Sequence, residues 1–155
     1  MSMHLADPTK ETDRAVAHAL ARAGLGVNLL MHGLPRMVRW REFAEHVSTQ
    51  FAHPPLPLPG AAVGAVVYGL PPLETALGLL LILGLALRPT LIVGALALFP
   101  LIFGTNLLGN YDVAAEQLVY LGFYAVLLAT VHWDFYSLDG WRRRHRASRR
   151  DDPCR

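Results

Sequence analysis

Residues 88–112 read RPTLIVGALALFPLIFGTNLLGNYD, and the 23 residues between Arg88 and Asp112 carry no charge. A helix that crosses a bilayer needs about 20 mostly apolar residues, a run that a strand or core helix of a soluble domain does not require. The flanking sequence behaves alike. Seventeen residues without Asp, Glu, Lys or Arg separate Glu116 from Asp134, and Glu74 is the only such charge between His53 and Arg88. These stretches are rich in Leu, Ala, Gly and Val and show no repeating polar face. A helix that is apolar all round has to be buried in protein or in lipid. The chain has 155 residues, enough for one domain but too few to bury four such helices in itself. Lipid is therefore the expected surrounding. Charged residues make up 17% of the chain, against about 25% in a soluble domain.

Working outward from that stretch, the sequence predicts an all-α fold. The expectation is an integral membrane four-helix bundle with an extracytoplasmic amphipathic interfacial helix between spans 1 and 2. Asp7-Pro8 has the form of an N-cap followed by Pro at the first helical position. Span 1 follows over Ala15–Leu34 and stops at Gly33 and Pro35. Beyond it, Met37, Trp40, Ala44, Val47 and Phe51 recur at helical spacing while Arg39, Glu42, Glu45 and His46 face away, the pattern of a helix lying in the interface. His53–Gly60, with four prolines, reads as an extended connector. Span 2 covers Ala61–Leu87, with a kink expected at Pro71-Pro72. Arg88-Pro89 forms a turn. Span 3 covers Thr90–Leu108, with a kink at Pro100, and span 4 covers Val113–Trp133. Trp133, Phe135, Tyr136 and Trp141 form an aromatic belt at the far end of span 4. The domain division is a segment 1–14, a four-helix domain 15–140 and a basic tail 141–155.

Lys and Arg near the span ends set the orientation. Lys10, Arg14, Arg88 and the Arg-rich tail lie on one side and Arg36, Arg39 and Arg41 on the other, so both termini are expected in the cytoplasm. The membrane is expected to be a bacterial inner membrane. Residues 1–14 hold five charges and no apolar core, so no signal peptide is expected there. Beside a membrane helix, the basic tail reads as an anchor on anionic lipid rather than a nucleic-acid contact. Cys154 is the only cysteine, which excludes an internal disulfide, a CxxC pair and a cysteine metal site. No metal site and no flavin motif is read.

A charge near the bilayer centre costs at least about 2.5 kcal/mol on insertion scales, so each polar group there needs a role. In span 1, His18, Arg22, Asn28 and His32 fall within an arc of about 120°. Span 4 carries a second stripe of Asp112, Glu116, Tyr120 and Tyr124. Glu74 lies halfway along span 2 and Asn106 near the outer end of span 3. With the spans antiparallel, His32, Glu74, Asn106, Asp112 and Glu116 converge in the outer half of the bundle, and Arg22 lies deeper, within reach of Glu74. Such groups also serve as locks between helices. Interhelical hydrogen bonds contribute only about 0.6–2 kcal/mol each, a weak reason to keep so many ionisable groups. Three carboxylates beside one histidine point instead to a binding or proton-relay site. The candidate catalytic groups are His32, Glu74 and Glu116. The candidate substrate contacts are Arg22, Asn28, Asn106, Asp112 and Tyr120, although core packing also explains Tyr120 and Tyr124.

Three pieces of sequence resemble the DoxX family of small four-helix membrane proteins over about residues 15–140. The first is Arg22-Ala23-Gly24 followed by His32-Gly33-Leu34-Pro35-Arg36. The second is Leu73-Glu74-Thr75-Ala76-Leu77-Gly78 leading to Gly84-Leu85-Ala86-Leu87-Arg88. The third is Tyr136-Ser137-Leu138-Asp139-Gly140. The resemblance implies the four-helix membrane fold. Some relatives in that family are subunits of thiosulfate:quinone oxidoreductases, and others are membrane partners of redox or detoxification proteins. The expectation is therefore a quinone-linked oxidoreductase or its membrane subunit, with quinone as cofactor and a redox partner protein on the extracytoplasmic side. The alternative is a non-catalytic anchor or assembly partner of a redox complex. A proton or solute path is the weakest reading, because the inner half offers only His18, Arg22 and His132.

Overall fold

A computed structural model describes residues 8–52, 58–142 and 145 of the chain. The Asp7 cap, the His53–Pro57 part of the connector and nearly all of the basic tail lie outside the described residues. Within them the chain is helical and contains no strand. Helix α1 spans Pro8–Val38, α2 Trp40–Gln50, α3 Gly60–Leu83, α4 Leu87–Leu107 and α5 Tyr111–Ala129. A 3-10 turn at Val131–Trp133 follows, and residues 138–142 are again helical. Helices α3, α4 and α5 are each long and apolar enough to cross a membrane. Only 17% of the most apolar windows of α4 and α5 is buried, so their Leu, Val and Phe side chains point outward. An apolar exterior of that extent is foreign to a soluble monomer.

Helix α1 carries more polar residues, and it sorts them by face. Val16, Leu20, Val27, Met31 and Leu34 are exposed, while His18 and Arg22 are buried. The polar side is turned inward and the apolar side outward, the inverse of a helix in a soluble protein. The helix also runs past its expected end. Pro35 sits inside it rather than terminating it, and Arg39 N–H closes the last turn on Pro35 O at 3.0 Å. Proline lacks only its own N–H, and here its carbonyl still accepts the next bond. The extension brings Arg36 into the helix, with consequences for the site below.

The α3–α4 boundary lies earlier than the sequence predicts. Helix α3 stops at Leu83 because Gly84 adopts φ +65°, and the N–H groups of Gly84 and Leu85 bond back to Leu81 O and Leu80 O. Arg88 and Pro89 are therefore in the first turn of α4, where a missing N–H costs nothing. At the other end, Gly109 at φ +72° turns the chain from α4 into α5.

The helices form two pairs, α1 against α3 and α4 against α5. The first pair is drawn close by glycine. A Cβ on Gly78 would collide with the backbone at Gly26 and Leu30, and one on Gly33 with Thr75 and Pro71 O. Small residues that let two backbones approach are the usual basis of helix association in lipid. In the second pair the hydroxyl end of the Tyr124 ring lies against Gly94, where a Cβ would collide with it. A buried cluster of Leu25, Leu81, Leu87, Leu91, Tyr124 and Leu127 joins the pairs. All six lie in the half of the bundle that holds the α3–α4 turn. Among the described residues of the half that holds the α1–α2 corner and the α4–α5 turn, Val67, Pro71, Leu77 and Ala114 are buried but belong to no such cluster.

Helix α2 has the amphipathic face that its spacing predicts. Val47 is buried and Trp40, Phe43, Ala44 and Phe51 are half-buried, while Arg39, Arg41, Glu42, Glu45 and His46 are exposed. It crosses the α3–α4 side of the bundle. The Trp40 ring meets Tyr68 of α3 at 6.1 Å, and Phe51 lies against Gly104 of α4.

Candidate functional site

The polar residues of the bundle fall into two groups, one at each end. The first surrounds Arg22, which is 3% exposed. Its Nη1 donates to Leu81 O at 2.5 Å and its Nη2 to Tyr136 O at 2.7 Å. Its Nε lies 3.8 Å from the buried Asp134 carboxylate. Leu81 and Ile82 carry carbonyls of the last turn of α3, where a cation also meets the negative end of the helix. Asp134 in turn accepts from Ser137, whose hydroxyl accepts from Gly140 N–H at 2.9 Å and so caps the short helix 138–142. Asp139 accepts from Leu87 N–H at 3.3 Å, and its own N–H bonds Gly84 O. His18 Nδ1 meets Thr130 Oγ1 at 3.0 Å, tying α1 to the end of α5. The segment after α5 is thereby clasped onto the α3–α4 turn. Most of the polar groups at this end are paired within it, while His18 Nε2 is buried without a hydrogen bond and Arg22 Nε faces Asp134 only as an ion pair.

The second group lines a cavity of about 220 Å³ in the opposite half. Arg36 closes on Glu74, with Nη1 at 2.9 Å from Oε1 and 2.7 Å from Oε2. The expected Arg22–Glu74 pair is not formed. Arg22 and Arg36 are 14 residues apart on one helix, about 21 Å at 1.5 Å per residue, and Glu74 is level with Arg36. The Arg36 guanidinium also stacks 5.2 Å from the Phe43 ring of α2, which fixes it from the far side. His32 and Asn28 line the same cavity from α1, and Glu116, Gln117, Tyr120 and Tyr124 line it from α5. Leu70, Leu73 and Leu77 of α3 and Leu98 and Leu101 of α4 supply the apolar walls. Gln117 is oriented by Thr105, whose hydroxyl donates to Oε1 at 2.9 Å. Among the described residues the side chains of Asn28, His32, Glu116 and Tyr120 have no hydrogen-bond partner. Each has donors or acceptors to offer a bound molecule.

Of the eight residues singled out by sequence, His32, Glu74, Glu116, Asn28 and Tyr120 meet around this cavity. Three do not. Arg22 belongs to the clasp. Asn106 is exposed and donates back to Ile102 O of its own helix at 2.7 Å. Asp112 is exposed in the first turn of α5, where a carboxylate complements the free N–H groups. Arg36 and Gln117 are the residues that sequence reasoning missed as site residues, and Tyr124, which the polar stripe of span 4 included, was left out of the candidate set. The signal for Arg36 was its position one turn after His32, visible only if the helix is allowed through Pro35.

A ring held here meets apolar walls on two sides and polar groups on a third. His32 and Tyr120 can donate to a carbonyl oxygen, and Glu116 can take a proton and pass it toward the bundle surface. No family model, no curated protein and no solved structure matches this chain.

Proposed function

We propose that this chain is a four-span, DoxX-like integral membrane protein of a bacterial inner membrane, with both termini cytoplasmic, and that its cavity takes the ring of a quinone. Helix α1 supplies the fourth span, supported by its outward apolar face and its inward polar one. Helix α2 then lies at the extracytoplasmic interface and offers its charged face to a redox partner protein.

The observation that carries the quinone reading is the cavity. It is mostly apolar, it holds a few convergent polar groups, and it sits within helices of membrane length. Cavities of about 150 Å³ admit a benzene ring, so 220 Å³ suits a substituted six-membered ring. A quinone bound there supplies a two-electron, two-proton couple. His32 and Tyr120 orient its oxygens. Glu116 holds the proton nearest the surface. Arg36 keeps the Glu74 carboxylate in place at the cavity wall. Electrons come from a substrate or from the partner chain, which makes the protein an oxidoreductase or the membrane subunit of one.

The test is titration of purified protein in lipid nanodiscs with a benzoquinone, followed by quinone-coupled reduction assays. His32→Ala and Glu116→Gln each raise Kd by about tenfold or more, the loss of one hydrogen bond to a charged or polar partner. Both variants binding like the parent rejects the site. Binding without turnover, with any donor tried, favours a non-catalytic anchor in a redox complex.

A further inference from the structure

We propose that the molecule bound in the cavity is a lipid, a ring head carrying its own apolar chain, and that it enters sideways from the bilayer through the gap between α1 and α5. The inference rests on the ring-binding reading above and adds the ligand's class and route.

The cavity has four sides, and three are closed. Glycine contacts seal α1 against α3. The Tyr124–Gly94 contact and the Thr105–Gln117 bond seal α4 against α5. The α3–α4 side is covered by α2, which reaches from Tyr68 to Gly104. On the fourth side, α1 is tied at the far end to the residues just after α5, through His18–Thr130 and the Arg14–Trp133 stack. At the cavity no hydrogen bond joins α1 to α5 among the described residues, and His32 and Glu116 are exposed while still lining the interior, which marks this side as the opening.

The outer flanks of this gap are apolar. On α1, Gly26 and Gly33, which touch α3, lie about 100–120° to one side of His32, and Met31 and Val27 lie about 100–140° to the other. On α5, Gln117, which is bonded to α4, lies about 100° to one side of Glu116, and Phe123 and Val119 lie about 20–60° to the other. Met31, Val27, Val119 and Phe123 are all exposed. A ring fills 220 Å³ and leaves no room inside for a long chain. The chain therefore lies along these four side chains, in continuity with the acyl chains of the bilayer. A polar molecule from water meets an apolar threshold on this side, which selects for ligands already dissolved in lipid.

The experiment uses the full chain in nanodiscs and a benzoquinone bearing a two-isoprene-unit chain with a diazirine at its end. After irradiation, labelled peptides are mapped by mass spectrometry, with and without excess of the same ring lacking a chain. The expected result is label on residues 27–31 and 116–123, removed by the chainless ring. In addition, Met31→Trp combined with Val119→Trp, which narrows the gap, slows exchange of the chain-bearing probe at least tenfold. The same double variant leaves the Kd of the chainless ring within about twofold. Competable label on α3 and α4, or unchanged exchange in the double variant, overturns the lateral route while leaving the ring site intact. If the chainless ring neither binds nor competes, the ring site and the route fall together.

Discussion

At the scale of single residues, two arginines on one helix do different work. Arg22 is a buried structural cation with acceptors on three sides. Arg22→Met takes the cation away from the buried Asp134 carboxylate and a donor away from the carbonyls of Leu81 and Tyr136, and the expected loss is about 3–5 kcal/mol. SDS-titrated unfolding followed by circular dichroism measures it. Arg22→Lys recovers less than half, because a single ammonium cannot span the fork of acceptors that a guanidinium reaches. Arg36, by contrast, is one third exposed and bonds a single carboxylate. Arg36→Gln costs less, about 1–3 kcal/mol, since water partly screens what remains. Adding Glu74→Gln to it restores stability, because the unpaired carboxylate is then gone, and a double-mutant cycle by the same titration reads the coupling.

The partners of these arginines mark how far the sequence could be read. That His18, Arg22, Asn28 and His32 share one face followed from helical spacing alone, and of these His18 and Arg22 are buried while Asn28 and His32 line the cavity. Arg22's partners did not. They are backbone carbonyls at Leu81 and Tyr136 and an aspartate after α5, and no side-chain pattern announces a carbonyl acceptor. Glu74 had two arginines within plausible reach, and the choice turned on whether α1 survives Pro35. The expectation for Asn106 and Asp112 failed for a local reason. Asn106 sits at a helix end and bonds back to Ile102 O of its own helix, and Asp112 sits exposed in the first turn of α5, outside the cavity.

At the scale of elements, glycine spacing sets which helices touch. Gly78→Ala pushes a methyl into the backbone of α1 and forces the α1–α3 pair apart, for an expected loss of about 1–3 kcal/mol. Gly64→Ala and Gly122→Ala meet nothing within 4 Å. These two are neutral or stabilise by up to about 1 kcal/mol, the helix propensity of alanine over glycine. The same unfolding titration compares all three, and equal effects would mean that the close approach contributes nothing. The apolar runs made α3, α4 and α5 plain in the sequence to within a few residues. Their ends were less legible, because Gly84 ends α3 through a left-handed cap while Leu85–Leu87 remain apolar. The face of helix α2 was legible, but its start was not, because Arg36–Val38 belong to α1 and Met37 is exposed. The course of α2 across α3 and α4 was not legible either, since a surface helix of this kind fits many neighbours equally well.

For the whole molecule, the fold is asymmetric along its length. One end is clasped by buried polar bonds over a leucine core, and the other is held apart around a cavity. Because the clasp lies outside the cavity, stability and ligand binding are expected to separate. Substitutions at Arg22 lower stability, whereas His32 and Glu116 variants lower affinity. The proposed four-span topology would put Lys10 and the basic tail on one side of the membrane and α2 on the other. Single cysteines introduced at position 10 and at Glu45, in a Cys154→Ser background, are expected to react with an impermeant maleimide from opposite sides of sealed vesicles. Labelling from the same side would remove α1 as a span.

The central claim is that the open half of this bundle holds a quinone ring. Native mass spectrometry of the protein excised from its own membrane in nanodiscs addresses it most directly. A mass increment matching a quinone, present in the parent and lost in His32→Ala and Glu116→Gln, is the predicted result. An increment absent from the parent, or retained undiminished by both variants, contradicts it.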